Sequence, residues 1–180
     1  MGASMKKTEI VLLKGDITER DTDAIINTSN DRLILGSGLG GAIKAKGGSQ
    51  IVDECAHHGT IALGEVVQTS GGNLKTGSVV HVALTEYDGQ ITGENIQKSL
   101  QNSLKLANRQ RFKSIAIPDM SVGIVRFPPE KCAEIVFTVL KDYIAKKSRS
   151  LQRIEIVLWD IDTLRVYKRK YAEIFKQETA

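Results

Sequence analysis

Short aliphatic runs alternate with longer amphipathic stretches along nearly the whole chain, and a layered α/β fold is what such alternation builds. Glu9-Ile10-Val11-Leu12-Leu13 is a β-branched and aliphatic run closed by Gly15, which predicts a buried strand. Ala24-Ile25-Ile26 is a second, framed by Asp23 and Asn27. Gly64–Thr69 and Val79–Ala83 read as strands around the turn Gly71-Gly72. Ser114–Ile117 is a strand with Pro118 at its exit, and Ile154–Trp159 is the last. Helices fall between them. Ala42–Ala45 opens one that Gly47-Gly48 stops or bends. Ser49 can N-cap the next, which runs past Val52 and Cys55 to about His58 and ends at Gly59. Glu94–Asn108 carries Ile96, Leu100, Leu104 and Ala107 as one apolar stripe. Pro128–Lys147 places Ala133, Val136, Phe137, Leu140 and Ile144 on one face, with proline where a helix start tolerates it. Asp162–Phe175 closes the chain with the stripe Leu164, Tyr167, Tyr171 and Ile174. The expectation is helices on both sides of a mixed sheet. Residues 6–177 read as one domain, and residues 1–5 as a cloning remnant or a disordered start.

At 180 residues the chain is long enough to bury a sizeable core. A net charge of +4 suits an anionic partner without demanding one. The cluster Lys146, Lys147, Arg149 and Arg153 reads as solvated helix-end charge, so nucleic acid is not the expected partner. Two cysteines, Cys55 and Cys132, make neither a disulfide framework nor a zinc spacing. A reducing compartment, cytoplasmic or nuclear, is expected. No apolar run approaches the roughly 18 residues of a membrane span. His57 and His58 have no Cys or Glu at metal spacing, so neither a metal nor another cofactor is expected. Glu54 and Glu65 lack a carboxylate partner for acid–base work, and there is no Ser-His-Asp arrangement. A monomer is expected.

In α/β sheets, ligands collect in the loops at the carboxyl ends of strands, here those after Leu13, Ile26, Ile117 and Leu158. The segment Gly36-Ser37-Gly38-Leu39-Gly40-Gly41 feeds a helix, so bare N–H groups and the helix dipole can take a phosphate; a surface turn is the plainer reading. Ser121-Val122-Gly123-Ile124-Val125-Arg126-Phe127 precedes a helix in the same way, and two such loops suit a diphosphate. Arg126 can pair with a phosphate or be a solvated charge. Phe127 can pack on a sugar or cap the core. Asp16 can accept from an exocyclic amine or N-cap a turn through Thr18 and Glu19. Asn30 can hold ribose hydroxyls or sit in a turn at positive φ. Trp159, the sole tryptophan, can be a core residue or stack on a purine from a strand end. A dehydrogenase-type G-x-G-x-x-G is set aside, because the third glycine is misplaced by one and the loop does not follow its strand directly.

Taken in order, Gly15-Asp16-Ile17-Thr18, Asp23–Asn27, Asn30, Gly36–Ile43, Gly64-Glu65, Val80-His81, Ser114–Pro118 and Ser121–Pro128 resemble a macrodomain, the ADP-ribose-binding module. The resemblance implies a three-layer α/β/α sandwich with a mixed, mostly parallel six-stranded sheet. It assigns Asp16, with Ile17 beside it, to adenine, and Asn30 to the distal ribose. Gly38, Leu39, Gly40, Gly41 and Ala42 would face the diphosphate, together with Ser121, Val122, Gly123, Ile124, Val125 and Arg126. Phe127 would lie near the distal ribose and Trp159 on adenine. Asn27-Thr28-Ser29-Asn30 replaces the usual Asn-Ala-Ala-Asn, and Ser37 interrupts the glycines. Gly40 stands where hydrolytic members of one major class place an aspartate. Lys44–Gly48 is similar to a segment of a histone-variant macrodomain, a binder. The implied function is therefore binding of ADP-ribose, free or as a mono-ADP-ribosyl group or poly-ADP-ribose terminus, the partner being ADP-ribose or an ADP-ribosylated protein. The alternative is an ADP-ribosyl hydrolase or O-acetyl-ADP-ribose deacetylase, with a substrate-activated water held between Asn30 and the glycine loop.

Overall fold

The computed structural model describes residues 7–122, 126–146 and 149–176. The strands are β1 (Glu9–Lys14), β2 (Ala24–Asn30), β3 (Val66–Ser70), β4 (Ser78–Thr85), β5 (Ser114–Ile117) and β6 (Arg153–Leu158). The helices are α1 (Gly38–Gly47), α2 (Ser49–His58), α3 (Gly93–Arg109), α4 (Pro129–Ala145) and α5 (Ile161–Lys176), with one 3₁₀ turn at Ile17–Glu19. Positions 1–5, Lys147, and the site positions Gly123, Ile124 and Val125 lie outside the described residues.

One six-stranded sheet runs in the order β1-β6-β5-β2-β4-β3, and only the β3–β4 pairing is antiparallel. The other five strands therefore deliver their carboxyl ends to the same edge. Alternation along the strands sorts side chains into two cores. Ile25, Val79, Ala116 and Val157 pack with Ile43, Ile51 and Cys55 of α1 and α2. Ala24, Ile26, Val80, Val82, Ile115, Ile154 and Ile156 pack with the stripes of α3, α4 and α5. The result is three layers, as expected. The predicted stripes face the core: Ile96, Leu100, Leu104, Ala107, Ala133, Val136, Phe137, Leu140, Leu164 and Tyr167 are buried, while Ile144, Tyr171 and Ile174 are half-buried against them. Phe137 meets Tyr167, Tyr171 and Phe175 edge-on at centroid distances of 5.8, 5.5 and 6.2 Å, which packs α4 on α5.

Most boundaries shift by one or two residues, and three differences bear on the site. Pairing with β4 carries β2 four residues beyond its apolar run, to Asn30. α1 starts at Gly38 rather than Ala42, because the glycines form its first turn. Helix propensity disfavours glycine there, but packing overrides it. Gly38 sits at φ +54°, and a Cβ on Gly40 would come within 3.3 Å of the Leu35 Cα. Ser49 is the first residue of α2 and not its cap, which is Gly48 at φ +90°. No helix among the described residues is long and apolar enough to cross a membrane.

Candidate functional site

Spatial order along the carboxyl edge follows strand order. Asp16 comes after β1, Trp159 after β6, Ser121 to Phe127 after β5, and Asn30 ends β2. The Gly15 N–H donates to the Leu158 carbonyl at 2.9 Å, tying the β1 exit to the β6 exit. Side chains scattered across the sequence thus stand in a row.

Asp16 is the N-cap of the 3₁₀ turn. Its Oδ1 accepts from the Thr18 N–H at 2.9 Å and from the Thr18 hydroxyl at 2.6 Å. Its Oδ2 accepts from Lys46 Nζ at 2.9 Å. Partial burial alone would raise this carboxyl, but the hydrogen bonds from Thr18 and Lys46 outweigh it and hold Asp16 below the usual carboxylate range. A carboxylate has about four acceptor positions, so Oδ2 retains one for an amine. Capping and ligand-facing roles are compatible in this residue. Lys46 also reaches Glu19 at 2.7 Å.

Asn30 organises its own loop. Oδ1 accepts from the Arg32 N–H at 3.0 Å and the Ile34 N–H at 3.3 Å, while Nδ2 donates to the Ile34 carbonyl at 3.2 Å. Both Oδ1 lone pairs are committed, so the second Nδ2 hydrogen is what the side chain can offer a ligand. Positive φ falls on Leu33, at 56°, and not on Asn30.

The N-terminus of α1 faces this edge. N–H groups in the first turn of a helix precede its first i→i−4 bond, and Ser37 supplies no side-chain cap. No acidic residue occupies that turn. Gly38, Leu39 and Gly40 therefore present backbone donors and a favourable dipole to an anion. Gly40 has no side chain to offer a carboxylate, and a Cβ at this buried position would already crowd Leu35, at 3.3 Å from its Cα.

The second loop is anchored at both ends. Ser121, fully buried, donates to Asp119 Oδ1 through its N–H at 3.0 Å and its hydroxyl at 2.7 Å. The Phe127 N–H donates to the Ser121 carbonyl at 2.9 Å. Val122 is exposed, and Phe127 packs partly into the α3–α5 core. Arg126 Nη2 lies 3.2 Å from Asp119 Oδ2 and 2.8 Å from the Thr163 hydroxyl. These are partners that neither expectation for Arg126 named. Trp159 is 74% exposed, just past β6, so it is no core residue.

Sequence reasoning missed Asp119, Thr163 and Lys46. A signal for Asp119 was present: Asp119-x-Ser121 repeats Asp16-x-Thr18, and each aspartate accepts from the N–H and hydroxyl two residues on. It also missed a buried polar cluster beneath the sheet. His81 lies 3.0 Å from Asn27 Nδ2, 2.9 Å from Thr69 Oγ1 and 3.6 Å from Cys55 Sγ. The Thr69 hydroxyl donates to the Ser70 carbonyl, so it accepts from Nε2–H, and Nδ1 accepts from Asn27. Burial pushes the imidazole down to about 4 and the Cys55 thiol up to about 11. A cysteine, a histidine and an asparagine so placed resemble hydrolytic machinery in composition only; the thiol is sealed and protonated.

Glu54 accepts from the N–H and hydroxyl of Ser70, and Glu65 from the Ala62 N–H, so both carboxylates are structural. Two surface hollows of about 720 and 510 Å³ are lined largely by polar residues of α3 and α4, including Asn102, Lys105 and Asn108, and touch none of the strand-end loops. Among the described residues there is no His/Cys/Asp/Glu group able to hold a metal.

Known proteins match this architecture. The family model described as Macro domain matches residues 26–136. A Macro domain-containing protein of Caldanaerobacter subterraneus is 35% identical over 176 residues, covering 94% of this chain and 99% of the relative. A Pantoea vagans protein named O-acetyl-ADP-ribose deacetylase 1 is 32% identical over 169 residues, covering 91% and 97%. A Trypanosoma brucei macrodomain solved in complex with ADP-ribose superimposes with a TM-score of 0.81 at 25% identity, over 89% of this chain and 68% of that one.

Proposed function

The chain belongs to the Macro domain family, and on that premise we propose that it binds ADP-ribose, free or as the terminal group of an ADP-ribosylated protein. The observation that carries this reading is the order of groups along the sheet edge. An acceptor and an exposed indole stand at one end, the loop after β5 comes next, and an amide donor with the uncapped first turn of α1 after it stands at the other end. Adenine, diphosphate and distal ribose follow one another in the ligand in that same order. Asp16 takes the adenine amino group, with Ile17 beside it and Trp159 over the ring. The first-turn N–H groups of Gly38, Leu39 and Gly40 and the loop that begins at Ser121 take the diphosphate, whereas the Gly41 N–H is committed to the Ser37 carbonyl at 3.0 Å. Asn30 donates to the ribose, with Phe127 close by.

Titration calorimetry tests the ligand class. ADP-ribose is expected to bind more tightly than AMP or NAD; tighter NAD binding contradicts the reading. Trp159→Ala is expected to weaken ADP-ribose and AMP by about 1–2 kcal/mol, the scale of one base–aromatic stack, while leaving the thermal midpoint unchanged. Equal loss for ribose 5-phosphate, which has no base, would rule the stack out.

Hydrolysis is the second reading, and the Pantoea vagans relative's name favours it. Gly40 weighs the other way, since it offers no carboxylate where a general base is needed. A hydrolytic route here would rest on the substrate phosphate activating a water near Asn30. Single-turnover assays on a mono-ADP-ribosylated protein and on O-acetyl-ADP-ribose separate the two. A pure binding module releases nothing beyond the uncatalysed rate, whereas turnover at catalytic protein levels establishes the hydrolase.

A further inference from the structure

We propose that Arg126 is a positioning residue: it braces the loop after β5 against α5 and does not itself bind the ligand's phosphates. The proposal deepens the ADP-ribose reading of the same site and rests on it for its ligand-dependent part. Arg126 is the one cation of that loop, and its Nη2 donates to both partners of a short relay. One partner, Asp119, has a side chain only 10% exposed. Its Oδ1 receives the Ser121 N–H and hydroxyl, and the Tyr167 hydroxyl at 3.3 Å, while its Oδ2 receives Arg126. The other partner, Thr163, is 4% exposed and commits its hydroxyl hydrogen to Asp160 Oδ2 at 2.8 Å. Its oxygen is then free to accept from Arg126, at 2.8 Å. Asp160 in turn follows Trp159 directly and receives the Thr163 N–H at 2.8 Å.

One guanidinium thus faces the Asp119 carboxylate directly and that of Asp160 through the Thr163 hydroxyl, and the cluster has no surplus positive charge with which to draw in a phosphate. What Arg126 does hold is geometry. It fixes the distal end of the loop to the strand exit at Asp119, and both to the first turn of α5 beside the indole. The base of the loop is the bond from the Phe127 N–H to the Ser121 carbonyl. Loosening the brace exposes that bond to opening and so frees the base of the loop on which the proposed diphosphate site rests.

The experiment uses Arg126→Ala, Thr163→Val and the conservative Thr163→Ser in the full chain. Amide hydrogen exchange at Ser121 and Phe127 is read without ligand, and ADP-ribose affinity is read at about 50 and about 300 mM salt. Arg126→Ala and Thr163→Val are each expected to speed exchange at Phe127 by about tenfold, with Thr163→Ser at the wild-type rate. Both are expected to weaken ADP-ribose by a similar factor, about fivefold, at either salt concentration. Unchanged exchange in both variants overturns the brace. So does an affinity loss confined to Arg126→Ala and larger at low salt, the mark of a direct ion pair to phosphate. Failure of the wild-type protein to bind ADP-ribose would overturn the functional reading instead, and the exchange rates alone would then decide the brace.

Discussion

Asp16→Ala is expected to weaken ADP-ribose and AMP by about 1–3 kcal/mol, the range of a hydrogen bond to a charged group. The carboxylate is ionised throughout the physiological range, because Thr18 and Lys46 stabilise its charged form more than partial burial disfavours it. Adenine binding through this group is therefore expected to be flat between about pH 5 and 8. The same substitution removes a cap, for which about 1 kcal/mol of stability is the ordinary loss. The Lys46 pair adds little to that, since both side chains are substantially exposed, at 42% and 29%. Asp16→Asn separates the two roles. It retains an oxygen for Thr18 yet removes the charge that the purine amine meets, so it is expected to keep most of the stability and lose most of the affinity. The check is calorimetry with ADP-ribose and with ribose 5-phosphate. A folded Asp16→Ala protein that binds ADP-ribose as the wild type does would remove Asp16 from the site.

Acidification from pH 7 to pH 4 is expected to cost about 3 kcal/mol of folding stability through His81 alone. Burial is the main cause of its low proton affinity, with the nearby His58 adding to it and Glu54 opposing it. An unfolded histidine titrates near 6.5, the buried one near 4, and each pH unit of separation is worth about 1.4 kcal/mol. Between those values the unfolded chain holds more protons than the native one, so stability falls as pH falls; above about 6.5 the contribution is complete. The depressed carboxylates, Asp16, Glu54 and Glu155 among them, lose their contributions only as pH falls further, from their ordinary range downward. The His81 window therefore comes first. Urea unfolding at pH 7.5, 6, 5 and 4.5 checks it against His81→Gln, whose amide can donate to Thr69 and accept from Asn27. That variant starts less stable and is expected to change little between pH 7 and 5. A slope as steep as that of the wild type would place the titrating group elsewhere.

The layers were legible because the apolar periods of Ile96–Ala107 and Ala133–Leu140 report directly on burial, and the structure buries each of those side chains. The ends of elements were less so. β2 extends through Asn27, Thr28, Ser29 and Asn30 because β4 pairs with them, and pairing with partners as distant in sequence as His81 and Thr85 leaves no mark on local composition. α1 begins within its glycines because Leu35 and Gly36 crowd the first turn, another contact that propensity does not register. Asp16 and Asn30 stood out in the sequence as polar residues ending apolar runs, and the structure gives each a local hydrogen-bonding task of its own. The partners that fix the site, Lys46 of α1, Asp119 after β5 and Thr163 of α5, lie far apart in the sequence, and only the folded sheet edge brings them near. His81 read simply as a strand residue; its cross-strand neighbour Asn27 and the α2 residue Cys55 make it the centre of a buried cluster.

A crystal structure of the protein soaked with ADP-ribose tests the binding reading most directly. The diphosphate should lie between the first-turn N–H groups of α1 at Gly38–Gly40 and the loop that opens at Ser121, with the adenine amine within about 3 Å of Asp16 Oδ2 and the distal ribose against Asn30 Nδ2. A diphosphate bound elsewhere, or an adenine turned away from Asp16 toward the β2 end of the row, would contradict it.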